Sequence, residues 1–355
     1  MHEVLVVNAG STGVKLDLVS DGGRSRRLRS LAEAGGVIDA VGHRIGHGGG
    51  RFTAPVRLDD AVLGALEEEG ALAPLHNGPA LRLAREARAA LPRVPQVAVF
   101  DTAFHHDLPF EASTYAVPES WRTAWGIRRY GFHGLSVEWA VERADALLGT
   151  AASRRAVVCH LGGGASATAV LDGRSVDTSM GLSPLEGLVM ATRSGSVDPD
   201  VPLHLVLRHG MPAAEVEDAL NHRSGLHALA GSGDMREVEA AAARGEARAR
   251  AALDVHDHRL ASVVAGMAAS LGGLDVLVFT GGVGEGSPRT RAAAAGRLAF
   301  LGVAIDDGPD AANAGDRDIS APGADVRTLV VQSREDIVIA RAVRRLIAGP
   351  EGERP

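Results

Sequence analysis

Three glycine-rich segments of this chain directly follow short apolar stretches. Residues 8–15 read NAGSTGVK, residues 160–166 read HLGGGAS, and residues 281–286 read GGVGEG. Because glycine has no Cβ, backbone N–H groups in such segments can approach an anion closely. The first two segments each lead back into a strand-like stretch, so one subdomain is predicted to occur twice. Together the three segments predict a nucleotide held in a cleft between two lobes.

Lys15, at the end of the first segment, is the only lysine of the chain. All other members of the 37 basic residues are arginine. A compact ammonium group beside a glycine segment suits a phosphate site. Chance survival of one lysine in an arginine-biased composition is the alternative.

The composition indicates a globular enzyme of about two domains. The chain has 355 residues, 45% hydrophobic residues and a net charge of -7, which gives no reason to expect nucleic acid or an anionic membrane as a partner. No apolar run approaches the roughly 20 residues that span a bilayer. The single Cys159 excludes an internal disulfide and suits a reducing cytosol, and a strand that begins by Val4 leaves no room for a signal peptide. We therefore expect a cytoplasmic protein.

Apolar stretches alternate with helix-forming segments, and this alternation predicts an α/β fold. The predicted strands lie at 4–19 (two strands joined by a turn), 37–45, 96–100 and 327–331. The predicted helices lie at 59–70, 77–91 (capped by Asn77), 136–149 (capped by Ser136), 184–192, 200–209, 234–270, 288–301 and 335–347. Residues 150–155 are a plausible domain junction.

Nine motifs that run in order along the chain resemble the acetate kinase family, which includes propionate kinases. They are VNAGSTGVK, GHRIGHGG, LAPLHN, VFDTAFH, RRYGFHG, CHLGGGAS, SVDTSMGLSPLEGLVMATRSG, SGDMR and FTGGVGEG. The resemblance implies the two-lobed, ribonuclease H-like fold of the actin, Hsp70 and sugar-kinase superfamily. Residues 1–152 would form the N-terminal lobe and residues 153–335 the nucleotide-binding and dimerisation lobe, with a helix at about 336–348 packing back on the first.

The reaction that the resemblance implies is reversible transfer of a phosphoryl group from ATP to a carboxylate, with Mg²⁺ or Mn²⁺, by a homodimer. A carboxylate is already an anion at neutral pH, so it needs no strong base. The difficulty is repulsion, since two unit charges 4 Å apart repel by roughly 4 kcal/mol at an effective dielectric of about 20. Arg44 and Arg193 match the family's motifs and are the candidates for fixed positive charge.

The resemblance assigns further residues to the site. Asp101 is a catalytic candidate whose role as base, orienting group or indirect metal ligand stays open, and His133 matches the histidine that donates to the transferred phosphoryl group. Asn8 and Glu335 match metal-associated positions. The nucleotide-binding candidates are Asn8, Ser11, Lys15, His160, Gly162, Gly164, Asp234, Met235, Arg236, Gly282 and Gly284.

The chain departs from the family pattern at several glycines. Gly13, Gly50 and Gly163 replace a usual serine, glutamate and asparagine, which puts nucleotide affinity and rate in doubt. The segment between Lys15 and Val41 is also several tens of residues shorter than is typical, so part of the first lobe is trimmed.

A fourth glycine bears on the choice of acid. Gly46 stands where acetate-using relatives have valine, in an acyl pocket otherwise formed by Leu75, Phe132 and Pro184. Loss of the isopropyl group leaves room for a longer acid, at about 0.8 kcal/mol per buried CH₂. A neighbouring side chain that fills the gap is the alternative.

Three readings of the function stay open. The leading one is a carboxylate kinase that prefers an acid larger than acetate, and a plain acetate kinase is the alternative within this class. A sugar kinase or phosphatase on the same fold is a second, and the apolar pocket with two arginines argues against it. A nucleotide-binding sensor with weak activity is the third. The physiological acid, the favoured direction and the pathway are not predicted.

Overall fold

The computed structural model describes residues 3–10, 13–30, 33, 38–69, 74–149, 154–308 and 315–349, without the side chains of residues 69 and 74–76. The chain divides into two compact units. Unit 1 contains Met1–His106, Ala116–Trp139 and Arg334–Pro355, and unit 2 contains Asp107–Tyr115 and Ala140–Ser333. Residues 150–153 of the expected junction lie outside the described residues, and the lobe boundaries near 152 and 335 stay a prediction.

Unit 1 is built on a six-stranded sheet with the order β3-β2-β1-β4-β6-β5. Strands β1 to β3 form an antiparallel meander, and β4 and β6 continue the sheet parallel to β1. The strands are β1 (Glu3–Gly10), β2 (Gly13–Ser20), β3 (Ser25–Leu28), β4 (Ala40–Ile45), β5 (Val56–Arg57) and β6 (Gln96–Phe100). Parallel strands place their carboxyl ends at one edge, where β1, β4 and β6 deliver the candidate site residues.

Two helices cover opposite faces of this sheet. Helix α13 (Glu335–Ala348) and helix α2 (Pro74–Ala90) both contact β1 and β4. A Cβ on Gly42 would lie 2.6 Å from Ile339 Cγ2 of α13, so the helix packs against bare backbone there. The neighbouring Val41 belongs instead to the apolar cluster that Leu83 of α2 packs against, as the alternation of side chains along a strand requires. Helices α1 (Asp60–Glu69) and α4 (Glu119–Trp125) also belong to unit 1.

Unit 2 repeats the same sheet topology. Its strand order is β11-β12-β10-β7-β8-β9, which read from β9 is the order of unit 1: an antiparallel meander followed by parallel strands. The strands are β7 (Arg155–Leu161), β8 (Ala165–Leu171), β9 (Arg174–Thr178), β10 (Val276–Thr280), β11 (Arg317–Asp318) and β12 (Arg327–Val330). The predicted duplication is confirmed.

The remaining helices belong wholly or partly to unit 2. They are α3 (Phe110–Ser113), α5 (Gly134–Leu148), α6 (Asp200–His209), α7 (Ala213–His222), α8 (Gly225–Ala230), α9 (Met235–Ala243), α10 (Ala247–Ser270), α11 (Gly281–Gly286) and α12 (Pro288–Arg297). The chain passes from unit 1 to unit 2 within α5, between Trp139 and Ala140. Within the described ranges, no helix has the length and apolar character needed to cross a membrane.

Several sequence-based element assignments were wrong. Residues 184–192 form no helix, because Gly187 has φ 109° and its backbone passes so close to Ser179 that a Cβ would lie 2.8 Å from that carbonyl oxygen. The predicted helix at 234–270 is two helices, α9 and α10, separated at residues 244–246. The third glycine segment is the short helix α11 rather than an open turn.

Both proposed N-caps in unit 1 were also wrong. Asn77 and Ser136 lie inside α2 and α5, and both side chains are buried. Helix α5 begins at Gly134, before Ser136. The Val137 N–H donates to the His133 carbonyl at 2.9 Å, so helical hydrogen bonding already includes the residue before Gly134. Asn77 has a different function, described below.

Candidate active site

Adjacent parallel strands bring Asn8, Arg44 and Asp101 to one edge of the unit 1 sheet. Asn8 on β1 is in register with Arg44 on β4, and Asp101 directly follows β6. The Arg44 NH2 donates to Asp101 Oδ2 at 2.6 Å, and its NH1 donates to the Ala9 carbonyl at 2.8 Å. Burial disfavours the charge of the Arg44 guanidinium, yet the carboxylates of Asp101 and Glu335 raise its pKa above the usual value. Arg44 is therefore a permanently charged group in a fixed orientation.

Asp101 is fully buried and uses only one of its carboxylate oxygens within the described structure. Oδ2 accepts hydrogen bonds from Arg44 and from the backbone N–H of His133, at 2.9 Å. Oδ1 is buried and has no hydrogen-bond partner among the described residues. A buried carboxylate oxygen without a partner is costly, so it indicates a further donor or a metal-bound water when the site is filled.

His133 has a left-handed backbone, which is uncommon for a residue with a side chain. Its φ is 60°, and Gly134 beyond it is so close to Asp101 that a Cβ would lie 2.4 Å from the Asp101 carbonyl oxygen. The preceding carbonyl of Phe132 accepts a hydrogen bond from His105 Nε2 at 3.0 Å. Burial lowers the pKa of His105 to about 4, so this imidazole is a neutral support at pH 7. Sparsely populated backbone conformations of this kind cluster at functional sites.

Asn8 and Glu335 place side-chain oxygen atoms beside this pair. Asn8 Nδ2 donates to Glu335 Oε2 at 2.7 Å, and the same oxygen lies 3.8 Å from Arg44 Nε. Within the described ranges, no cluster of three or more His, Cys, Asp or Glu side chains could hold a metal. A set of one or two carboxylates and an amide oxygen fits Mg²⁺, which keeps several waters and takes further oxygens from substrate phosphates.

Asn77 fixes the backbone that follows Gly46, a function that the sequence did not reveal. Its Oδ1 accepts from the His47 N–H at 2.9 Å, and its Nδ2 donates to the His47 carbonyl at 2.8 Å. The His47 ring lies edge-on to Phe132, with the centroids 5.5 Å apart. Asparagine is unfavourable inside a helix. This low propensity was the sequence feature that could have indicated a special contact at Asn77.

The predicted acyl-pocket residues are distributed over both units. Gly46 and Phe132 are buried in unit 1, and Pro184 is buried in unit 2. The Leu75 side chain lies outside the described residues.

Two nucleotide-binding candidates belong to the first glycine segment. Lys15 is an exposed residue of β2 opposite Asn8, and Ser11 lies outside the described residues.

The second and third glycine segments lie side by side in unit 2. His160, at the end of β7, pairs with Thr280 of β10. A Cβ on Gly162 would be 3.8 Å from His160 Nε2 and 4.0 Å from the Gly282 nitrogen, while a Cβ on Gly281 would be 2.7 Å from the Leu161 carbonyl oxygen. Gly282 is exposed, whereas Gly164 and Gly284 are buried. Close backbone approach therefore explains the glycine at position 281 without any ligand, whereas a Cβ at Gly162 would make only ordinary contacts. The Gly162 N–H donates to the Gly164 carbonyl at 2.9 Å, and the Gly281 N–H donates to Glu285 Oε1 at 3.0 Å.

A buried arginine that the sequence did not single out supports the third segment. Arg291 is fully buried, and its NH1 donates to the carbonyls of Gly284 and Glu285, at 2.7 and 2.8 Å. Its Nε donates to Asp307 Oδ2 at 2.6 Å. Arg291 thus satisfies the carbonyl groups at the end of α11 and holds this short helix in place.

The remaining candidates of unit 2 have clear structural partners. Arg193 is buried, and its NH1 donates to the Pro184 carbonyl at 3.1 Å. Asp234 caps α9 by accepting from the Arg236 N–H at 2.9 Å, and hydrogen bonds from the Arg236 side chain help to lower the pKa of Asp234 to about 2. Met235 is buried in the cluster around α9 and α10.

The substituted glycines differ in what a side chain would meet. A Cβ on Gly13 or Gly50 would have no neighbour within 4 Å. Gly13 nevertheless has φ 131°, which side chains of L residues rarely adopt, so a serine here would require a different turn. Gly163 accepts a hydrogen bond from the Ala191 N–H through its carbonyl at 3.3 Å.

The two sheets with one strand order define the actin-like ATPase fold, and the class of enzyme follows from comparison with known proteins. The family model described as "Acetokinase family" matches residues 25–341. An acetate kinase from Clavibacter michiganensis subsp. michiganensis is 47% identical over 329 residues, which cover 91% of this chain and 83% of that protein. An acetate kinase from Micrococcus luteus is 43% identical over 386 aligned positions, covering 98% of this chain and 100% of that protein.

Similarity to solved structures agrees with these sequence comparisons. A propionate kinase from Francisella tularensis subsp. tularensis superposes with a TM-score of 0.89 at 35% identity, covering 96% of this chain and 99% of that one. The chain belongs to the acetokinase family. It is therefore a phosphotransferase with a carboxyl group as acceptor, and the family uses ATP and a divalent metal.

Proposed function

We propose that this chain is a magnesium-dependent kinase that transfers the γ-phosphoryl group of ATP to a short-chain monocarboxylate larger than acetate. The observation that carries the proposal is the buried Arg44–Asp101 pair beside Asn8 and Glu335, with Asp101 Oδ1 free of hydrogen-bond partners among the described residues. This arrangement offers fixed positive charge and metal-binding oxygens at one sheet edge, which the meeting of two anions requires.

In the proposed reaction, a carboxylate oxygen attacks the γ-phosphorus and the bond to the bridging oxygen breaks, giving acyl phosphate and ADP. Arg44 and Arg193 stabilise the charge on the transferring group. Asp101 orients Arg44 rather than acting as a base, since its Oδ2 already accepts from the guanidinium. His133 donates a hydrogen bond to the transferred phosphoryl oxygens. Mg²⁺, or Mn²⁺ in its place, would supply charge neutralisation when held by Asn8, Glu335 and, through water, Asp101.

An ADP-release assay run with and without hydroxylamine tests the reaction. Trapped hydroxamate that depends on enzyme, ATP, metal and acid supports acyl phosphate formation. ADP release without hydroxamate would indicate a hydrolase or a different acceptor. Failure of every C2 to C6 monocarboxylate to give hydroxamate above the enzyme-free control would exclude the proposal.

The preference for a longer acid rests on Gly46. This residue is buried, and the two hydrogen bonds between Asn77 and the His47 backbone fix the position that follows it. We infer that this fixed backbone keeps the volume of the missing isopropyl group available to the acid. Each methylene that enters this space contributes about 0.8 kcal/mol.

Gly46→Val is expected to shift the preference of the enzyme towards acetate. Wild type should use propionate or butyrate better than acetate in kcat/KM by roughly fourfold to 15-fold, from one or two buried methylenes. The valine should reverse that ratio by occupying the same space. The kinetics of acetate, propionate and butyrate for both proteins provide the measurement, and Gly50→Ala, at an exposed position with open space around it, is the matched control. A wild type that prefers acetate would identify a plain acetate kinase.

The proposal includes a homodimer formed through unit 2. Helix α6 has no buried residue within the single chain, and Leu203 and Leu207 on it are 52% and 71% exposed. Contiguous exposed apolar side chains of this kind mark association surfaces.

The cytoplasmic location of the protein also stays a prediction.

Leu207→Glu is expected to convert a dimer into a monomer without unfolding it. The substitution places a charge on the exposed apolar face of α6, where burial against a second copy would be costly. Light scattering of wild type and variant at micromolar concentration gives the two masses. A wild-type monomer, or a variant that stays dimeric, would contradict this surface.

A further inference from the structure

Unit 1 contains an apolar cavity that is separate from the candidate active site. Its volume is about 430 Å³, within the range of small-molecule pockets. None of Asn8, Arg44, Asp101, His133 and Glu335 lines it. Most of its wall is apolar: Ala54, Pro55, Val99, Phe100, Ala103, Phe104, Leu135, Val338, Ala342 and Leu346, together with Gly134. Such a lining suits a hydrocarbon tail.

The two charged residues of the lining are Glu138 and Arg345. Arg345 lies exposed in the last turn of α13, and within the described ranges its guanidinium has no hydrogen-bond or ion-pair partner. Glu138 has interaction partners of its own. Of these two residues, Arg345 is the one without a partner among the described residues, and a guanidinium binds a carboxylate through two parallel hydrogen bonds.

The cavity adjoins the backbone that carries the catalytic candidates. Phe100 and Ala103 lie on either side of the Asp101–Thr102 pair, and Gly134 follows His133 directly. Helix α13, which contributes Val338 to the wall, begins at Glu335. A molecule in the cavity would thus pack against the segments that orient Asp101, His133 and Glu335.

We propose that this cavity binds an amphipathic carboxylate of the medium-chain fatty acid class, with its tail inside and its carboxylate on Arg345. The site differs from the substrate site, so its ligand does not compete with the short acid. The proposal does not depend on the proposed reaction, because binding to the full chain can be measured without ATP.

Calorimetric titration of the full chain with sodium octanoate is the direct test. One octanoate per chain is expected, and saturating propionate should not displace it. Binding should tighten from hexanoate to octanoate by roughly 15-fold, since each buried CH₂ contributes a factor of about 4. Octanol, which lacks the carboxylate, should bind at least roughly 10-fold more weakly than octanoate.

Two variants locate the ligand. Arg345→Gln should weaken octanoate binding by at least roughly 10-fold, and Arg345→Lys should restore part of the loss. Ala342→Phe should abolish binding by filling the cavity. Turnover of the short acid without octanoate should stay unchanged in Arg345→Gln. The matched control is Arg208→Gln, an exposed arginine in the last turn of α6, which should bind octanoate as wild type does.

Three results would overturn the proposal. They are no octanoate binding at millimolar concentration, displacement of octanoate by propionate, and unchanged affinity in both Arg345→Gln and Ala342→Phe. A chain that binds octanoate in this way and phosphorylates no short acid would reject the proposed function and retain this binding site.

Discussion

Arg44→Ala is expected to lower both the stability and the activity of the enzyme. Removing the guanidinium leaves the fully buried Asp101 carboxylate without its charged partner. Breaking a buried ion pair in this way costs about 3–5 kcal/mol of unfolding free energy. We also expect kcat/KM to fall by at least roughly 10²-fold, the scale of losing one charge-stabilising donor. Urea denaturation and initial-rate kinetics measure the two effects separately.

The double variant Arg44→Ala/Asp101→Asn separates these two effects. Neutralising Asp101 removes the unpaired charge, so much of the lost stability should return while the activity stays low. The Arg44→Lys protein should be more stable than the Arg44→Ala protein. It should nevertheless lose the pair of hydrogen bonds that the guanidinium donates to Asp101 and to the Ala9 carbonyl. An Arg44→Ala protein with wild-type stability and turnover would show that the pair is neither structural nor catalytic.

The parts of the fold that could be predicted from sequence are those with local causes. The buried strand Gln96–Phe100 was correctly bounded because five apolar or buried residues stand between polar turns. The first two glycine segments each join antiparallel strands, as the return to strand-like sequence indicated. The same local signals led from the motifs to the family, and so to the reaction class.

The errors occurred where a distant contact decides the local structure. Asn77 has the side chain of a helix cap, but its amide bonds to both backbone groups of His47, which is 30 positions away in sequence. Residues 184–192 have helical spacing, yet close packing of Gly187 on Ser179 excludes a helix. Arg291 resembles the other arginines of the chain, and only the folded structure shows its bonds to α11. No single-sequence pattern contains these pairings.

For the candidate site, the sequence named the candidate residues but not the contacts between them. The role of Asp101 was open, and its hydrogen bonds to Arg44 and to the His133 N–H favour an orienting role. The left-handed backbone at His133 and the neutral His105 behind it had no sequence signal at all. The backbone at His133 accompanies the close approach of Gly134 to Asp101, and the neutral state of His105 follows from its burial.

Arg193→Ala is expected to cause a large loss of activity, together with a loss of stability from the contacts of the buried guanidinium. The Arg193 NH1 donates to the Pro184 carbonyl, a neutral acceptor, and loss of that hydrogen bond costs about 1 kcal/mol. If the guanidinium stabilises the transferring phosphoryl group, kcat/KM should fall by at least roughly 10²-fold. The exposed Arg223 of the same unit provides the matched control, and Arg223→Ala should leave turnover unchanged.

Chemical rescue makes the test of Arg193 specific. Free guanidinium at millimolar concentration should restore part of the turnover of Arg193→Ala, because it can occupy the vacated space and supply the same planar charge. It should do nothing for Arg223→Ala or for wild type. Arg193→Lys should stay well below wild type, since an ammonium cannot reproduce the guanidinium geometry. Near-normal kcat/KM in Arg193→Ala would remove this arginine from the site and leave Arg44 as the remaining candidate for fixed positive charge.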